Sequence, residues 1–251
     1  MPNRYLSPAM HGQDALSLIQ EPLTAAEARI YNGIWNAVIV GQLRPGSELS
    51  AGTLCEIYGT TPGIISKAIA ALDQDGIVAV AMNGSARIYL PLPSEARDLF
   101  DTVRTIATQI ARRLAQRASD IPRAQRDMLD AHALAEEQAI EQNNAAAVGR
   151  LRLEYGTLLA LIHGNRILAR EHERNLNRFA LVLLAYNAKG RDGLGTSDHT
   201  RSLNQMLLSG NGDAAARAIA AVLEKVSVSM RFDLDDSRVD LKALLNSVTG
   251  R

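Results

Sequence analysis

Between Ser50 and Pro62 the chain ends one helix and starts another within a few residues, and this spacing constrains the fold more than any other feature. Ser50 is of the type that caps a helix N-terminus, and Leu54 and Ile57 give the short helix after it an apolar face. Tyr58-Gly59 ends that helix, because glycine takes the left-handed conformation that a C-cap demands. Thr61-Pro62 starts the next: a capping residue, then proline at the first helical position, where its missing N–H is no loss. Ile64, Ile65, Ala68, Ile69 and Leu72 mark the buried face of this third helix. Two helices joined by so short a glycine-containing turn form a helix-turn-helix pattern.

The flanks complete the unit. Thr24 with Glu27 matches a capping box, and a first helix runs from there to about Val40 with Ile30, Ile34, Ala37, Val38 and Gly41 on one face. Leu43-Arg44-Pro45-Gly46-Ser47 is a turn. After Gly76, the β-prone runs Ile77–Val80 and Ala86–Leu90 flank Met82-Asn83-Gly84-Ser85, a strong hairpin signal. Three helices and a hairpin make a winged helix. Such a unit places its third helix in the major groove of duplex DNA and its wing on phosphates or the minor groove.

The remainder is helix after helix. Pro91-Leu92-Pro93-Ser94-Glu95 ends the last strand and is the natural linker. Leu99, Val103, Ile106, Ile110 and Leu114 recur at helical spacing, so a long amphipathic helix spans 94 to about 118. Further helices are expected over about 120–142, 144–162, 166–187, 198–208 and 213–230, with a loop at Gly190–Gly195. Phe179–Leu184 is apolar on every side, which predicts a helix buried at the centre of an antiparallel bundle. The fold class is therefore mainly α: a winged helix-turn-helix over 24–93, then an all-α antiparallel helical bundle over 94–251. Residues 1–23, with Pro2, Pro8, Gly12 and Pro22 and little periodicity, read as a mobile arm.

Composition narrows the class. The 251 residues are 47% hydrophobic, enough for a sizeable core. A single cysteine, Cys55, excludes an internal disulfide and reads as a small buried apolar residue. No apolar run approaches the roughly 20 residues of a membrane helix, and no secretory signal opens the chain, so a reducing cytoplasm and no membrane partner are expected. His172-Glu173 lacks the second histidine of a zinc-protease motif, since Leu176 stands there, and the glycines from 190 to 195 give no dinucleotide fingerprint. No catalytic residue is assigned.

The residues Gly41–Ser50, Gly59-Thr60-Thr61, Ala68–Leu72, Asp75–Val78, Asn83 and Ala86-Arg87-Ile88 resemble the GntR family of transcription regulators. The helical remainder resembles the FCD-like effector domain of its FadR-type subfamily. The resemblance implies a ligand-responsive repressor of a metabolic operon that binds a double-stranded DNA operator as a homodimer. It also implies DNA-contacting arginines, and here the chain departs. Gly52, Pro62 and Ser66 stand where the family places arginines, and Lys67 replaces a glutamate. Over 24–93, Arg29, Arg44, Lys67 and Arg87 face Glu27, Glu48, Glu56, Asp73 and Asp75, a net charge of −1. Phosphate neutralisation usually supplies much of the affinity for DNA. The expected DNA-binding residues are thus Ser50, Thr60, Thr61, Gly63, Ser66, Lys67, Asn83, Gly84 and Arg87, with Lys67 foremost. The alternative is a dimeric ligand-binding or protein-interaction relative that has lost sequence-specific DNA recognition.

Many relatives hold a metal through one aspartate and three histidines. By position these fall at Arg152, Gly156, His199 (after Asp198) and near Val222–Glu224, so one ligand of four remains and no metal or other cofactor is expected. His132, His163 and His172 fit no ligand pattern and read as surface or satisfied helix residues. The expected effector-binding residues are Arg104, Thr108, Arg152, Tyr155 and His199. Two arginines in a cavity would suit a small anionic metabolite such as a carboxylic acid.

Overall fold

The computed structural model describes residues 5–11, 23–186 and 199–230. The winged helix comprises α1 (Ala25–Ile39), β1 (Glu48–Leu49), α2 (Ala51–Tyr58), α3 (Pro62–Gln74), β2 (Val78–Val80) and β3 (Ala86–Ile88). Its start signals act as the sequence indicates. Thr24 Oγ1 accepts from the Glu27 N–H, and the Glu27 carboxylate accepts from the Thr24 N–H at 2.8 Å. Ser50 Oγ accepts from the Thr53 N–H, and Gly59 closes α2 at φ 61°. Thr61 occupies the N-cap position of α3 with Pro62 behind it, and its side chain makes no cap bond.

The sheet is antiparallel in the order β1-β3-β2, with Leu49 opposite Ala86 and Val80 also opposite Ala86. The wing turns tightly: the Ala81 N–H donates to Ser85 O, the Gly84 N–H donates to Ala81 O, and only Gly84 takes a positive φ, 81°. Asn83 fixes this turn through Oδ1, which accepts from the Ser85 N–H at 3.1 Å and the Ser85 hydroxyl at 2.8 Å.

The bundle comprises α4 (Pro93–Gln116), α5 (Arg123–Glu141), α6 (Ala145–His163), α7 (Arg166–Tyr186), α8 (His199–Leu208) and α9 (Gly212–Val228). The second helix of this region starts at Arg123 rather than Asp120, after a single 3-10 turn at Ala118–Asp120. The expected loop at 190–195 lies outside the described residues. Helix α4 packs along α9 and α7, and α6 packs against α7 and α5.

The Phe179–Leu184 stretch of α7 is apolar all round for a more specific reason than central burial: it is shared by two cores. Phe179 and Val182 belong to the bundle core with Leu99 and Val103, whereas Ala180 and Leu181 belong to the winged-helix core. Polar contacts reinforce the junction. Asn177 Nδ2 donates to Asp75 O at 3.2 Å, and Arg178 lies over the Tyr89 ring while pairing with Glu95 at 2.7 Å. Gly76, at φ 74°, lets the chain pass close to α7; a Cβ there would stand 3.0 Å from Arg178 Cγ. On the other side Arg150 of α6 donates to Asn36 of α1.

The mobile arm expected over 1–23 is corrected for residues 5–11, which dock on the bundle; residues 12–22 lie outside the described residues. A 3-10 turn at Pro8–Met10 packs on α5 and buries Met10 to 1% exposure. The Leu6 and Ser7 N–H groups donate to the two oxygens of Glu154 at 2.9 and 2.8 Å. The Tyr5 hydroxyl donates to Glu173, and Ser7 Oγ lies 2.7 Å from His132 Nδ1. The segment was missed because its order comes from long-range polar partners and one buried methionine, none of which leaves a local periodicity.

Candidate functional site

Two regions carry the residues singled out above. The first is the outer face of the winged helix. Thr61, Gly63, Ser66 and Lys67 are exposed on α3, Ser50 is exposed ahead of α2, and Thr60 is half-buried in the turn between them. Asn83, Gly84 and Arg87 are exposed on the wing. At the α3 N-terminus Pro62 has no N–H and the Ile64 N–H donates to Thr61 O, which leaves the Gly63 N–H as the first-turn donor for an anionic oxygen. The face is nonetheless sparing in charge. Lys67 Nζ lies 3.8 Å from Glu27 Oε1, though its side chain is 71% exposed. Arg87 lies 3.3 Å from Glu48, its cross-strand partner. Thr24 and Lys67 both favour the ionised Glu27 carboxyl and hold it below the usual range, the backbone N–H of Thr24 most strongly.

The second region is a cavity of about 110 Å³ inside the bundle. Helix α4 contributes Val103 and Ala107, α6 contributes Arg152, Tyr155, Gly156 and Leu159, and α7 contributes His172, Leu176 and Phe179. His199, Thr200 and Leu203 enter from α8, and Ile219, Val222 and Leu223 from α9. Three expected effector residues, Arg152, Tyr155 and His199, therefore meet in one place.

Arg104 and Thr108 do not join them. Val103 and Ala107 face the cavity, and the next residue along a helix is rotated about 100° away. Arg104 stands in an open groove between α4 and α9, paired with Asp101 at 2.6 Å, and the Thr108 hydroxyl donates back to Arg104 O. The expectation of two converging arginines is corrected accordingly. The remaining arginine is already matched. Arg152 Nε donates to Glu136 Oε1 at 2.7 Å, and the Thr200 hydroxyl donates to the other Glu136 oxygen. The Tyr155 hydroxyl donates to Asn204 Oδ1 at 2.7 Å, and burial pushes its pKa upward.

The two buried histidines differ. His132 sits between Ser7 Oγ and Leu151 O, satisfied as expected. His172 is 1% exposed on the cavity wall, and its Nδ1 has no hydrogen-bond partner. Burial pushes its pKa down to about 4, so it is a neutral imidazole. His172 is the site residue that sequence reasoning missed; a lone histidine on an amphipathic helix carries no signal of its own. Of the positions corresponding to the relatives' metal ligands, Arg152, Gly156 and His199 line this cavity, as do Val222 and Leu223 of the stretch Val222–Glu224. No cluster of three or more metal-ligating side chains forms among the described residues. A cation, a hydrogen and an alkyl group in place of ligands do not fit a metal ion.

Among the described residues the chain is a winged helix seated on a six-helix bundle that holds a cavity. The FCD domain model matches residues 98–225, about half of the chain, and the chain belongs to the FCD domain family. A transcriptional regulator GntR from Rhodococcus sp. RHA1 superposes with TM-score 0.67 at 17% identity, covering 82% of this chain and 97% of that one. McbR/YncC of E. coli superposes with TM-score 0.64 at 15% identity, covering 82% and 96%. No curated protein sequence matches the chain. The two-domain fold is thus that of GntR-type regulators with a FadR-type C-terminal domain. Among the described residues no helix is long and apolar enough to cross a membrane.

Proposed function

We propose that this protein is a DNA-binding transcription regulator, a repressor of a metabolic operon, whose operator affinity is set by a small molecule in the bundle cavity. The observation that carries the reading is the double role of α7. His172, Leu176 and Phe179 line the cavity, while Asn177, Ala180 and Leu181 seat the winged helix. At 100° per residue the first set centres roughly 130° around the helix from the second. A molecule pressing on one face of α7 moves the platform of the other domain.

DNA is held by the exposed face of α3 and the wing, with Lys67 and Arg87 meeting phosphates and Thr60, Thr61, Gly63, Ser66, Ser50, Asn83 and Gly84 supplying hydroxyl, amide and backbone contacts. Two copies bind as a homodimer, because helix-turn-helix proteins read paired half-sites. The effector selects one separation of the two recognition helices, and acts only through its different affinity for the two geometries. The anionic effector expected from the sequence loses its main support, since one arginine lies outside the cavity and the other faces Glu136.

Gel shifts on duplex from the gene's own upstream region test the reading. Binding at low salt that weakens steeply with added salt is the expected result. No shift with any duplex at low salt would overturn it and favour the protein-interaction alternative.

A further inference from the structure

We infer that the bundle cavity takes an uncharged, largely apolar molecule of about six heavy atoms that forms one hydrogen bond with His172. The inference rests on the effector role proposed for the cavity and specifies its ligand. Three observations converge on it.

The first is size and lining. About 110 Å³ is somewhat below the roughly 150 Å³ cavity known to hold benzene, and most of its wall is aliphatic or aromatic, as at Val103, Leu159 and Phe179. The second is charge. Glu136 is buried and accepts from Arg152, whose side chain is only 11% exposed, with Thr200 on the second carboxylate oxygen. An added carboxylate would leave this pair with a net negative charge in a medium of low dielectric, which is expensive without a further cation. A neutral guest leaves the pair intact.

The third is the orphan imidazole. A buried imidazole nitrogen without a partner, here Nδ1 of His172, is rare in folded proteins. The protein fixes the tautomer of a histidine through the hydrogen bond of its other nitrogen. Nδ1 of His172 has no such bond, so no protein partner there fixes which tautomer Nε2 presents beside Gly156. Gly156 uncovers it: a Cβ at this position would stand 3.6 Å from Nε2 and 2.8 Å from Leu176 Cδ1. A hydroxyl or a carboxamide therefore finds a complementary partner in either tautomer.

The test compares three small probes on the full-length protein by calorimetry and by NMR of 15N-labelled histidine. Phenol and butyramide are neutral; butyrate is the charged isostere of butyramide. At pH 7.5 both neutral probes are expected to bind at least tenfold more tightly than butyrate and to move the His172 ring resonances. His172→Phe should weaken phenol about tenfold, the worth of one such hydrogen bond, and His172→Gln, which keeps a donor and an acceptor, should recover most of it. Butyrate binding as tightly as butyramide, failure of both neutral probes to bind, or indifference of phenol to both His172 variants overturns the inference. Ala107→Phe fills the cavity and separates the two readings. If it leaves operator affinity unchanged, the effector role itself falls. If it changes operator affinity while the probes fail, only the ligand class falls.

Discussion

Glu136 accepts from Arg152 through one oxygen and from Thr200 through the other, and at 1% exposure it has no access to water that could replace either bond. Glu136→Gln removes the charge that faces the Arg152 guanidinium, and a loss of about 3–5 kcal/mol is expected in urea denaturation. Replacing both partners, as Glu136→Leu with Arg152→Met, should cost clearly less than either half alone. The two buried histidines set the acid limit of stability. In the folded protein burial holds both pKa values at about 4, against an ordinary 6.5 in the unfolded chain. Between these values the unfolded state binds more protons, so stability is full above pH 6.5 and falls as the pH drops toward 4. The loss is on the order of 3 kcal/mol for each imidazole, and His132→Gln should flatten the urea midpoint between pH 6.5 and 4. On the DNA face Lys67, exposed and only loosely held by Glu27, is the cation to remove. Lys67→Ala should weaken all duplexes alike and lower the salt slope by about 1, as measured by fluorescence anisotropy across a salt series.

Among the elements, those with local start and stop chemistry were the legible ones. Thr24, Ser50, Gly59, Pro62 and Gly84 act where their neighbours in sequence say they should, because caps and turns are satisfied within a few residues. Strand β1 was not legible: two residues offer no alternation, and it exists only because β3 pairs with it. The α4 face was read correctly through Val103, but Arg104 was placed inside although helix geometry turns it out. The N-terminal segment is the element least visible in sequence and most open to a test. Met10 is 1% exposed and packs with Leu129 and Tyr155. Met10→Ala is expected to cost about 2–5 kcal/mol by calorimetric melting if the segment is docked, and near zero if it is free. Ser7→Ala, which strips His132 Nδ1 of its partner, should cost about 1–3 kcal/mol.

At the scale of the whole molecule the two domains meet through α7, and the strength of that seat should decide whether the cavity can act on DNA. Arg178 joins three parts at once: its guanidinium pairs with Glu95 at the start of α4, donates to the Tyr89 hydroxyl at 2.7 Å, and its stem rests on Gly76 at the end of α3. Arg178→Met keeps the stem and removes the pairing. A permanent occupant can stand in for a ligand, since Ala107→Phe places an aromatic ring in the cavity from the α4 wall. Coupling between sites of this kind is worth about 5–150-fold in affinity. Ala107→Phe is therefore expected to change operator affinity by at least about fivefold. In the Arg178→Met background the same substitution should change it far less, although each single variant still binds the duplex. A double-mutant cycle measured by anisotropy gives the answer. If the effect of Ala107→Phe is the same in both backgrounds, the signal does not pass through the Arg178 seat, and the contact of Arg150 with Asn36 on the opposite side of the junction becomes the route to examine.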